Sequence, residues 1–168
     1  MPEPPVRVLL DPGDDARVSV GLLERHDPGG GVVVVHPTPG MTNRAAAAHD
    51  VLAALGRSVR RLGAEYLAGS EQAWRAVAAW LLTDQIKDLI VLRADRLSAG
   101  GWERLLQVCR RTGTRLLLVC HLHAVPPALA AVVEHIEHQI ITDLRQVLPG
   151  RPHRRTLRHH PKPVPAPA

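Results

Sequence analysis

The sequence predicts an α/β fold of three layers, in which a parallel sheet of about five strands lies between helices. Three observations lead there. Short aliphatic runs such as Val32-Val33-Val34-Val35, Leu89-Ile90-Val91-Leu92 and Leu116-Leu117-Leu118-Val119 lack the polar alternation of a half-exposed strand, which is the pattern of strands covered on both faces. Stretches with apolar residues at helical spacing separate these runs, and clusters of glycine, proline or aspartate close them. Strand and helix alternating in this way indicate βαβ units with helices on both faces of the sheet.

Each element has a local reason. Residues 1–5 hold three prolines and read as an extended arm. Val6–Leu10 alternates enough for a short edge strand, which Asp11-Pro12-Gly13-Asp14 stops. A weakly helical pattern over 16–26 carries Val18, Val20, Leu22 and Leu23 and ends at Asp27-Pro28-Gly29-Gly30-Gly31, so residues 1–30 are expected to be an N-terminal attachment to the core. The four valines follow as a buried strand. After a Pro-x-Pro-Gly turn, Thr42-Asn43 offers a cap for an alanine-rich helix over 45–55, closed by Gly56. Residues 60–67 suggest a strand of low regularity.

In the second half, Ser70 caps a helix over 71–83 with Trp74, Val77 and Leu81 on one face, and Lys87-Asp88 leads into the strand at 89–92. Ser98 caps a helix in which Trp102, Leu105, Leu106 and Cys109 fall at i, i+3, i+4 and i+7. That spacing assigns Trp102 and Cys109 to packing. Thr112-Gly113-Thr114 ends the helix before the strand at 115–120. Pro126-Pro127 opens a further helix, residues 138–142 supply a last strand, and a short helical piece precedes Pro149-Gly150.

Composition narrows the function classes. A chain of 168 residues fits one domain with a sizeable core. Cys109 and Cys120 lie in apolar segments without a signal peptide before them, so reduced thiols and a cytoplasmic location are expected. The aliphatic runs are far shorter than the roughly 20 residues that cross a bilayer, so no membrane partner is expected. The net charge of +5 is concentrated at one end: no acid follows Asp143, and Arg145, Arg151, Arg154, Arg155, Arg158 and Lys162 all lie beyond it. Setting those six cations aside leaves residues 1–143 at −1.

The stretch 31–45 carries the most suggestive arrangement, a buried strand, a glycine turn and a helix, which is the frame that holds phosphates in nucleotide-binding loops. The chemistry of such a loop is absent. In the pattern G-x-x-x-x-G-K-[ST] the first glycine is replaced by Pro37, the second by Thr42, the lysine by Asn43 and the hydroxyl by Arg44. The candidate phosphate-loop relic is therefore Thr38, Pro39, Gly40, Met41, Thr42, Asn43 and Arg44.

Residues 31–143 resemble the core of P-loop ATPases of the AAA type, in particular small bacterial ones serving transposition and mobile elements. The resemblance rests on Leu89-Ile90-Val91-Leu92-Arg93-Ala94-Asp95-Arg96-Leu97-Ser98, which is similar to the Walker B segment of that group. Ala94-Asp95-Arg96-Leu97-Ser98 fits, whereas Leu92 and Arg93 stand where the magnesium-binding aspartate and the catalytic glutamate belong. The helix, Thr112-Gly113 turn and strand that follow repeat the family's order and put Cys120-His121 at its γ-phosphate sensor. The resemblance implies a P-loop NTPase-like fold. Both nucleotide motifs being eroded, it also implies a protein with no catalytic residues and no cofactor, since phosphoryl transfer needs positioned phosphates, a held metal and an oriented water. Arg44 and Arg93 could still meet a phosphate electrostatically, and weak binding of ATP and Mg²⁺ near Gly40 stays open.

Other patterns yield less. His121-x-His123 and His135-x-x-His138 have ligand-like spacing, but ten histidines make close pairs frequent and no cysteine pair or acidic cluster completes a site, so no metal is expected. His49-Asp50 suggests half of an acid–base pair without a nucleophile. The tail, residues 144–168, is basic and rich in proline and reads as disordered. Its Arg151, Arg154, Arg155, Arg158 and Lys162 could bind nucleic acid without sequence preference, or serve only solubility. The expected organisation is thus an attachment at 1–30, a degenerate P-loop-like domain at 31–143 and the tail. The expected function is that of an inactive ATPase relative acting through a protein partner. An ATPase completed by a partner subunit and a nucleic-acid-binding accessory protein are the alternatives.

Overall fold

The computed structural model describes residues 5–39, 45–57 and 69–147. The fold is α/β: five strands form one all-parallel sheet flanked by helices, as the aliphatic runs predict. The strands are β1 (Val6–Leu10), β2 (Val32–Val35), β3 (Asp88–Val91), β4 (Arg115–Cys120) and β5 (His138–Ile141), in the spatial order β2-β3-β4-β1-β5. The helices are α1 (Ala16–Leu23), α2 (Ala46–Ala54), α3 (Ser70–Thr83), α4 (Ala99–Thr112) and α5 (Pro127–Val133). The strand expected over 60–67 and the caps Thr42 and Asn43 lie outside the described residues, as does the expected tail 144–168 from residue 148 onward; its first residues are ordered, with a short helical turn over Leu144–Gln146 and Val147 buried in the core.

The two faces of the sheet are covered unequally. One carries α2, α3, α4 and α5, packed on Val6, Val8, Leu10, Val33, Val35, Leu89, Val91, Leu116 and Leu118. The other carries α1, whose Val18 and Leu22 meet Leu9, Val34, Ile90, Leu117 and Ile141. β1, β2, β3 and β4 therefore send alternate residues into two separate cores, which is why their runs are so largely aliphatic, whereas β5 gives only Ile141, to the smaller core. Trp102 and Cys109 are buried in the larger core, in the packing role assigned to them.

One strand is placed differently from expectation. Val6–Leu10 was expected at an edge, but it lies inside the sheet, with β4 on one side and β5 on the other. The strand is therefore part of the core rather than something attached to it. Arg7 gives the run an edge-like alternation, yet Val6, Val8, Leu9 and Leu10 are all buried. The tetravaline strand is instead an edge. Three of its outward backbone groups are met by the segment before it: Asp27 and Val32 exchange N–H···O bonds of 2.9 Å, and Val34 N–H donates to His26 Nδ1 at 3.1 Å. This blunts an edge that would otherwise invite a foreign strand.

Two glycines have specific backbone tasks. Gly31 sits at φ +88°, where its carbonyl accepts from Lys87 and Asp88 at 2.8 and 3.0 Å, and a Cβ there would lie 3.1 Å from the Gln85 carbonyl. Gly113 closes α4 in the left-handed conformation, the ordinary C-terminal stop. At the sheet's amino end the register pair Asp88 and Arg115 is joined by a 2.7 Å ion pair, leaving the buried carboxylate compensated.

Because β1 is interior, Leu9→Ala should cost about 2–5 kcal/mol, the range for a truncated core leucine. Urea denaturation measures this, and a loss within the few tenths typical of an exposed position would contradict the interior placement.

Candidate functional site

In an open α/β sheet the crevice that receives ligands lies beyond the carboxyl ends of two adjacent strands whose connections leave to opposite faces. Here those strands are β1 and β4. From β1 the chain crosses one face by α1 to reach β2, and from β4 it crosses the other face by α5 to reach β5. The loops that border this crevice are 11–15, 121–126 and, from neighbouring β3, 92–98.

The first loop begins where the β1–β4 ladder ends, with Asp11 N–H donating to the Cys120 carbonyl at 2.9 Å. Asp11 is only 2% exposed. Its carboxylate accepts from Asp15 N–H at 3.0 and 3.3 Å, and Asp15 in turn caps α1 by accepting from Arg17 N–H at 2.8 Å. Amides at the N-terminal end of α1, where an anion would ordinarily be drawn, are thus taken by the protein's own carboxylates.

The loop after β3 is held by packing and by one indole. Ala94 is buried, and its carbonyl accepts from Trp102 Nε1 at 2.8 Å, so the tryptophan also fixes the turn Ala94–Arg96. Just before it, Arg93 stands at φ +49° and sends its guanidinium to both carboxylate oxygens of Asp14, at 2.7 and 3.0 Å. Asp14 itself is at φ +46°. Both partners of this pair occupy a backbone region that non-glycine residues seldom adopt. The Arg93 hydrogen bond holds the Asp14 carboxyl below the usual carboxylate range, with smaller contributions from the charges of His121, Arg93 and Arg96.

The third loop brings His121. Its N–H donates to Asp95 Oδ1 at 3.0 Å, which ties the β4 loop to the β3 loop. Its ring is buried between the two aspartates, with Nδ1 3.4 Å from Asp11 Oδ2, 3.3 Å from Asp14 Oδ1 and 3.3 Å from the Asp11 carbonyl. Cys120, the residue before it, is buried. Burial first, and the nearby Asp95 charge second, push its thiol up to about 12. Burial alone does the same to Cys109.

The residues read from the sequence are distributed unevenly over this geometry. Arg93, Asp95, Cys120 and His121 all border the crevice. Arg93 was expected to be available to a phosphate, but its guanidinium is engaged by Asp14. Thr38 and Pro39 lie beyond edge strand β2, away from the β1–β4 switch. Thr38 is occupied there: its N–H and hydroxyl donate to the Asp50 carboxylate at 3.0 and 2.7 Å. Gly40, Met41, Thr42, Asn43 and Arg44 lie outside the described residues, as do Arg151, Arg154, Arg155, Arg158 and Lys162. His121 meets aspartates rather than His123. Asp11 and Asp14 were missed because Asp-Pro-Gly-Asp reads as a turn, and the partner His121 is 110 residues from Asp11. A signal was present in Asp15, an N-cap ahead of the α1 pattern, since strand, acidic turn and capped helix form the same kind of frame as 31–45.

Both cysteines should be unreactive toward a disulfide reagent at pH 8 in the folded chain, because thiols titrating near 12 are un-ionised there. On denaturation both should react, their ionisation returning to the ordinary value of about 8.5. Rapid labelling of Cys120 in the native protein would contradict the closed crevice.

No protein-family model matches the chain, and no curated protein matches it either.

Proposed function

We propose that this chain is a P-loop-ATPase-like scaffold without nucleotide chemistry, which acts as an accessory or regulatory protein through contacts with a protein partner. The observation that carries the proposal is the occupation of the α1 N-terminus by Asp11 and Asp15. A nucleotide's phosphates need free amides and positive charge at such a site. Here they would meet Asp11, Asp14 and Asp15, with the one arginine in contact with Asp14 already neutralised by it.

Two further arrangements support the same reading. The segment that resembles Walker B ends β3, and Cys120-His121, which resembles the sensor, ends the adjacent β4. The two therefore lie side by side at the carboxyl edge, an adjacency that supports this reading. Leu92 is buried in the core and Arg93 is ion-paired, so neither can hold Mg²⁺ or activate water. An architecture kept while its chemistry is lost serves best as a shape for another protein to recognise.

Thermal denaturation of the full chain with millimolar MgATP should give the same midpoint as without it, because only a ligand bound to the native state raises the midpoint. A saturable, concentration-dependent rise would refute the empty-pocket half of the proposal. Affinity capture with the full chain tests the other half: one protein recovered in a fixed ratio is expected, and recovery of none would count against it.

A further inference from the structure

We infer that Asp11, Asp14 and His121 form a binding site for a divalent transition-metal cation of the zinc or cobalt type. The three side chains present one ligand atom each, all within 4.8 Å of one another. They come from two loops at the β1–β4 switch, so the strand order itself assembles them.

The imidazole points to a ligand that the surrounding hydrogen bonds do not replace. His121 is a polar side chain only 7% exposed, standing between two carboxylates. Its Nδ1 faces Asp11 Oδ2 at 3.4 Å, Asp14 Oδ1 at 3.3 Å and the Asp11 carbonyl at 3.3 Å. The contact to the Asp11 carbonyl is a long hydrogen bond when Nδ1 carries the proton, and the two carboxylate separations lie just beyond the ordinary N–H···O range. Among the described residues its Nε2 is buried with no hydrogen-bond partner. The guanidinium in the cluster goes to Asp14. The cluster thus sets two carboxylates, one buried and one half-exposed, against the imidazole and a single guanidinium contact.

The spacing suits a metal better than a hydrogen bond. Donors about 2.0–2.1 Å from a tetrahedral ion lie roughly 3.3–3.4 Å from each other, which matches both imidazole–carboxylate separations. One nitrogen and two carboxylate oxygens favour zinc or cobalt over magnesium, which takes an all-oxygen octahedron. Supporting groups hold two of the ligands: Asp15 N–H orients Asp11, and Arg93 bonds Asp14 most closely through Oδ2, the oxygen other than the one facing His121. Coordination through Nδ1 places the ring proton on Nε2, which has no acceptor among the described residues, a cost of one unmade hydrogen bond against three metal–ligand bonds. Asp14 is 45% exposed, which gives the ion an entry route and leaves a position for water. The inference is independent of the nucleotide reading, because the ligand is a cation and its test contains no nucleotide.

Calorimetric titration of the full chain with Zn²⁺, compared with Asp14→Asn, His121→Asn and His123→Asn, tests the site against binding by the other histidines. Loss of one equivalent, or weakening of that equivalent by about tenfold or more, is expected in Asp14→Asn and His121→Asn and not in His123→Asn. Asp14 is surface-accessible, so its variant keeps the test meaningful if His121→Asn fails to fold. Co²⁺ should give visible absorption that Asp14→Asn abolishes and that equimolar Mg²⁺ does not displace. Zn²⁺ binding by Asp14→Asn equal to that of the parent chain would overturn the site, and displacement of Co²⁺ by equimolar Mg²⁺ would overturn its metal class.

Discussion

The structure depends on the parallel pairing of β1 between β4 and β5. A parallel strand cannot return to its neighbour by a tight turn, so each connection must cross a face of the sheet. With β1 inside, its connection to edge strand β2 crosses one face, while the β4 connection passes β1 on the other face to reach β5. That divergence opens the crevice and decides which loops meet there. It also divides the interior into two cores, since Val8 and Leu9, neighbours in the chain, belong to different ones.

The chemistry of the crevice follows from what those loops carry. A strand end followed by a helix start offers amides and a positive dipole end, an arrangement suited to an anion. This chain fills that position from within, using Asp11 and Asp15, and then sets the Arg93 charge against Asp14. What remains around His121 is the buried carboxylate of Asp11 and the half-exposed one of Asp14. The proposed exclusion of phosphate and the proposed cation site draw on the same residues. Asp14 and Arg93, both at positive φ and joined across loops 79 residues apart, hold the arrangement in place.

Much of the fold was legible because burial on both faces leaves a mark that does not depend on pairing order. The runs 32–35, 89–92 and 115–120 could be placed from composition alone, and Ser98 and Gly113 marked the ends of α4 by their capping chemistry. The position of β1 was not legible. Pairing order is a tertiary property, and Arg7 gives the strand an alternation that resembles an edge. The site was partly legible for the same reason: Arg93, Asp95, Cys120 and His121 follow strands recognisable from their own residues, whereas Asp11 and Asp14 gain meaning only once β1 is seen beside β4. The phosphate-like frame at 31–45 follows an edge strand rather than the β1–β4 switch, because local sequence describes a strand, turn and helix equally well at an edge and at the centre.

The central claim is that the β1–β4 crevice is closed to phosphate by the protein's own carboxylates. Its most direct test is a backbone NMR titration of the chain with pyrophosphate, a ligand free of base and sugar. The account predicts no saturable shift in the amides of residues 11–15, 93–95 and 121. Saturable shifts centred on those amides would show that an anion enters where Asp11 and Asp15 were said to stand in its place, and would contradict the account.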